Sequence, residues 1–149
     1  MLILNPAEVT FGAATWSDVT AVSIERRPHR EVVEWSDVGP HAVMADVPEQ
    51  RVDIAVVQTL SRDDLGTPRP SEQAVLAVQV SPTASDVGRK KISATCVIVR
   101  VEHDVSGKRG ATRTIRLVAI SSDGAADPIT VTDVWGGGTG GGSGGGGDR

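Results

Sequence analysis

Ile92-Ser-Ala-Thr-Cys-Val-Ile-Val-Arg-Val-Glu-His103, Asp104-Val-Ser-Gly-Lys-Arg-Gly110 and Ala111-Thr-Arg-Thr-Ile-Arg-Leu-Val-Ala-Ile120 read as one arm, a turn and a second arm. Two β-branched runs flank a short polar stretch carrying Gly107 and Gly110. That pattern predicts a long β-hairpin of about ten residues per arm, against roughly 5–6 for an ordinary strand. Strict alternation puts Val97, Val99 and Val101 on one side of the first arm and Ile92, Ala94, Cys96 and Ile98 on the other. A ribbon that is apolar on both sides needs cover on both sides. Its own domain covers one, and a neighbouring copy is the natural cover for the second. The pattern points to assembly, not chemistry.

Outward from this hairpin the strand signals continue. Glu8 to Phe11 and Ser17 to Arg27 alternate; Pro28 interrupts the second run and Glu31 to Trp35 resumes it, so a bend or an edge position is expected at Pro28. Asp37-Val-Gly-Pro40 is turn chemistry. Val43 to Val47 and Arg51 to Gln58 are read as two strands split by Pro48-Glu49-Gln50. One short helix is expected over Leu60 to Leu65, where Ser61 and Asp64 resemble a capping box and Gly66 ends it. Gln73 to Val80 alternates cleanly, Ser81 to Lys91 reads as a polar loop, and Ile129 to Val134 closes the fold. Roughly seven to nine strands with turns every 8–12 residues predict an all-β fold, an antiparallel β-sandwich or barrel.

The chain has 149 residues, of which 136–149 are nearly all glycine and read as a flexible tail beyond a single domain over 1–135. With one Phe, three Trp and no Tyr, the core must come from Val, Ile, Leu and Ala. The net charge of −4 argues against a dedicated nucleic-acid binder. Residues 1–50 hold eight acids and three bases, whereas 51–100 hold five acids and seven bases, so complementary patches can meet head to tail between identical copies. The lone Cys96 cannot form an intrachain disulfide and sits in an apolar run, as a buried inert thiol does. No signal-peptide pattern follows Met1, and no apolar run reaches the roughly 20 residues of a bilayer span; the expectation is a chain made in the cytoplasm, with no membrane partner.

Catalytic readings fail on geometry. His29, His41 and His103 lack metal-ligand spacing. His103 and Asp104 are adjacent, would point to opposite faces of a strand, and are expected to begin the hairpin turn. Gly107-Lys-Arg-Gly110 lacks the Ser or Thr and the helix of a phosphate loop. Asp123 and Asp127 fall at Asp-Gly and Asp-Pro turn steps, and Ser122 has no positioned histidine. No cofactor and no catalytic set are expected. Trp16, Trp35 and Trp135 read as core or interface anchors.

Residues 50–134 resemble the tail tube proteins of tailed bacteriophages. The resemblance rests on Ser61-Arg-Asp-Asp-Leu65, Ala84-Ser-Asp86 with its basic run, the hairpin with its Gly-Lys-Arg-Gly tip, and Arg113-Thr-Ile-Arg-Leu-Val-Ala-Ile-Ser-Ser-Asp-Gly-Ala-Ala-Asp-Pro128. It implies a virion protein whose copies close hexameric rings that stack into a tube. DNA would pass through the lumen without specific binding, and sheath, tape-measure and baseplate proteins would be neighbours. The expected inter-subunit contacts are Arg62, Asp63 and Asp64 at the helix end, Arg89, Lys90 and Lys91 in the polar loop, and Lys108 and Arg109 at the hairpin tip. A tube-capping, baseplate or head-decoration protein is the alternative within the same class. A monomeric β-sandwich binding module is the alternative outside it, although four aromatic residues make a poor binding platform.

Overall fold

The computed structural model describes residues 1–60, 68–80, 89–107 and 110–134. They form nine strands: β1 (Leu2–Leu4), β2 (Glu8–Phe11), β3 (Ala14–Thr15), β4 (Val19–Trp35), β5 (Ala42–Leu60), β6 (Gln73–Val80), β7 (Lys90–Ser106), β8 (Gly110–Ala119) and β9 (Thr130–Asp133). All belong to one antiparallel sheet in the order β1-β4-β5-β8-β7-β6-β2-β3. β9 pairs with the start of β7, beyond the point where β8 ends. No helix occurs among the described residues. Of the expected short helix, Leu60 is the last residue of β5, paired with Ala111; Ser61 to Leu65 lie outside the described residues.

The sheet wraps one aliphatic core. Alternation sends Val52, Ile54 and Val56 of β5 inward, and Ile115 and Leu117 of β8 meet them there. Ile92, Ala94, Cys96 and Ile98 supply the β7 face of the same core, as the sequence predicts. The ladder does not close on itself. The first strands join its two ends instead: β1 lies on β4 and β2 lies on β6. Between them the Asn5 N–H donates to the Thr20 carbonyl and the Ala7 N–H to the Gln79 carbonyl, both at 2.9 Å. Asn5 makes the corner with φ +48°, a left-handed value that asparagine tolerates better than most residues.

With so few aromatic rings, Phe11 and Trp16 stack at 5.1 Å and close one end of the core. The turn between β2 and β3 needs Gly12, whose φ is +60° and whose missing Cβ would lie 3.1 Å from the Ala74 Cβ. A polar pair is also buried. Arg113 Nη2 donates to Gln58 Oε1 and Gln58 Nε2 donates to the Ser17 carbonyl, each at 2.6 Å. The hydrogen bonds offset the cost of taking these groups from water.

Three expectations are corrected. β4 runs unbroken through Pro28, and β5 runs unbroken through Pro48 to Gln50. Both prolines sit where the two strands pair only with each other, so a missing N–H can face the open edge, and register shifts around Pro28 and Arg30 absorb the strain. Val101 does not share the face of Val97 and Val99. A β-bulge leaves Val99 as the extra residue, since Ile98 pairs with Leu117 and Arg100 with Arg116. The bulge turns Val101 against the core. His103 and Asp104 lie inside β7, opposite Arg113 and Thr112, and not at the start of the turn.

Leu117 is 1% exposed. Leu117→Ala is predicted to cost about 2–5 kcal/mol, the range for truncating a fully buried leucine. Urea unfolding checks this as a fall in midpoint at constant slope.

Candidate assembly surfaces

Of the expected contact residues, Arg89, Lys90 and Lys91 fall among the described residues. Arg62, Asp63, Asp64, Lys108 and Arg109 lie outside the described residues, as does Trp135. Arg89 precedes β7, and its carbonyl accepts the Val134 N–H at 2.9 Å. Lys90 and Lys91 are strand residues of β7, not loop residues as expected. Lys90 pairs with Val80 and Asp133, and its Nζ lies 3.6 Å from the Asp133 carboxylate; Lys91 pairs with Gln79 and Thr132.

The feature that sequence reasoning missed is a projecting ribbon. β5 pairs with β8 only over Val52 to Leu60. Beyond that point β4 and β5 pair with each other alone, out to Trp35 and Ala42. The nine residues from Arg27 to Trp35 carry the ribbon about 30 Å away from the body at the usual strand rise. Val33 pairs with Ala45 and Trp35 with Ala42, which aligns Val33, Trp35, Val43, Ala45 and Val47 along one face. Trp35 is 62% exposed, Val43 65% and Val38, at the turn, 94%. Residues 30–49 carry five carboxylates and one arginine. The ribbon is therefore apolar along one face and strongly acidic overall. Isolated two-stranded ribbons are marginal in water, so this one needs a partner to be rigid.

The outer face of the sheet body is the second surface. Its cross-strand rows read Leu4–Ala21–Val57–Thr114 and Leu2–Ser23–Ala55–Arg116–Arg100, then Asp53–Val118–Val97–Gln73. Small and β-branched side chains dominate; those of the strand body are half-buried and none is fully buried, and beside these rows Val75 is 50% exposed and Val99 47%. Charge enters this face in two clusters. Asp53 lies between Arg27 and Arg51, at 2.6 and 2.7 Å. Glu102 lies between Arg100 and Arg116, at 2.7 and 3.7 Å. Four guanidiniums share two carboxylates, and each keeps N–H donors for another acceptor.

A loop over 120–129 packs where the ribbon leaves the body. Asp123 organises it by accepting the N–H groups of Ala125 and Ala126 at 2.9 Å and the Ser121 hydroxyl at 3.0 Å. These backbone donors hold its carboxyl below the ordinary aspartate range. Asp127 accepts the Ile129 N–H at 3.0 Å and pairs with Arg26 at 2.8 Å; the first of these contacts does most to lower its pKa. A cleft of about 470 Å³ lies between this loop and the ribbon base at Pro48 and Gln50.

Among the described residues, no three His, Cys, Asp or Glu side chains gather as a metal site. Cys96 is fully buried, and burial pushes its thiol up to about 12. His29 reaches only Glu49, at 3.9 Å. No protein-family model matches this chain, and no curated protein matches it in sequence.

Three outcomes follow from these groups. Asp123→Ala removes the acceptor for two amides, so Ala125 and Ala126 are expected to lose hydrogen-exchange protection while β5 and β8 keep theirs. In the unaltered protein the folded pKa is depressed, so the contacts hold at neutral pH. They weaken as pH falls through and below the ordinary aspartate range, which an NMR pH titration of the two amides reads. The Cys96 thiol is expected to ignore a disulfide exchange reagent until the protein unfolds, because the reactive thiolate is suppressed.

Proposed function

We propose that this chain is a structural virion protein whose copies assemble into stacked rings, forming a phage tail tube through which the genome is ejected. The observation that carries the reading is the uncovered outer face of β7 and β8, next to a ribbon that is bare on both sides. The two surfaces differ, so contact between them is heterologous, and heterologous contacts make rings or open stacks. The resemblance of residues 50–134 to tail tube proteins supplies the tube as the specific form. On this reading the mechanism is self-association, with no substrate and no cofactor. The partners are further copies, then sheath, tape-measure and baseplate proteins at the surface and ends of the tube. DNA is a passenger in the lumen.

Negative-stain microscopy of the concentrated protein tests the reading. Rings or hollow rods are expected; a monodisperse monomer at every concentration overturns it. Val75→Asp adds a charge to the outer face at an already exposed position. Its effect on unfolding is expected to stay within about 1 kcal/mol, the span of strand preferences. Sedimentation velocity is expected to show loss of the assembled species.

A further inference from the structure

We infer that Trp35 at the tip of the ribbon is the anchor of a head-to-tail contact, seated in the arginine-rimmed hollow on the outer sheet face of a second copy. The inference rests on the self-assembly reading and names the two surfaces that meet. The hollow encloses about 190 Å³ and lies where β4, β5, β8 and the β7 bulge adjoin. Ala55 and Val99 supply its apolar lining, and Arg27, Arg51 and Arg116 its charged rim, with Asp53 and Glu25 beside them. It exists because Val99 is the extra residue of the bulge and stands off the ladder.

The ribbon tip has the complementary chemistry. Trp35 is 62% exposed, and Asp37 follows two residues later in the turn. An indole fills an apolar hollow and attracts guanidiniums over its face, while the Asp37 carboxylate meets spare N–H donors on the rim. Tryptophan and arginine are the residues that most often carry interface energy. The contact cannot form within one copy. The hollow sits at the ribbon's own base, and Trp35 is eight residues beyond Arg27, about 26 Å away along a paired strand. The occupant is therefore the ribbon of another copy. Overall charge favours the same match, since residues 30–49 carry five carboxylates against one arginine and the hollow is edged by arginines.

Complementation tests this. Trp35→Ala keeps the hollow and loses the anchor; Arg27→Glu with Arg116→Glu keeps the anchor and loses the rim. Each variant alone is expected to sediment as a monomer at concentrations where the unaltered protein assembles, with apparent association at least tenfold weaker. Mixed one to one, they are expected to form pairs that grow no further, because each copy supplies the half the other lacks. Arg116→Ala guards against misfolding of the double reversal and is expected to weaken assembly with an unchanged unfolding midpoint. If Trp35→Ala assembles like the unaltered protein, or the mixture stays monomeric, the pairing of these two surfaces is wrong while self-assembly stands. If the unaltered protein never assembles, both fall.

Discussion

A sheet is covered by whatever core its own chain can build, and this chain builds one. Its aliphatic side chains fill the inner face from Val22 across to Val78, and the single stacked pair of Phe11 and Trp16 closes one end. No second layer exists among the described residues to cover the outer face. That face is nevertheless rich in Ala, Val and Thr where a solvated face would alternate to charge. Every other property of the molecule follows from this one-sided burial: a stable body, a bare apolar face, and strands longer than the body needs.

The strand lengths carry the second part. β4 and β5 outrun their neighbours, so their distal halves have no sheet to join and no core to face. A surplus of this kind is costly to a monomer, because ordering a residue consumes conformational entropy that burial must offset. On the proposed assembly the same surplus becomes interface. The loop over 120–129 meets the base of the ribbon through the ion pair of Asp127 and Arg26.

The inner face was legible from sequence because alternation is a local signal. The bounds of Glu8–Phe11 and Gln73–Val80 emerge as read, and so does the inward face of Ile92, Ala94, Cys96 and Ile98. The long ribbon was hidden by Pro28 and Pro48, which interrupt a central strand but not an edge. Val101 was misplaced because a bulge changes which face a residue takes and leaves no mark in the residues themselves. The three-residue β1 and two-residue β3 are too short to alternate. The arginine clusters were beyond reach, since Arg27, Asp53 and Arg116 come from three strands and meet only through register. Lys90 and Lys91, read as loop residues, stand within β7 beside β6 and β9.

Hydrogen exchange of the ribbon amides, followed as protein concentration rises, bears most directly on whether copies complete one another. The open-edge amides of residues 25–35 and 42–50 have no partner strand among the described residues. Completion by copies predicts that they exchange rapidly at high dilution and gain protection as concentration rises, while β5 amides paired to β8 stay protected throughout. Exchange that is equally fast at all concentrations would contradict it.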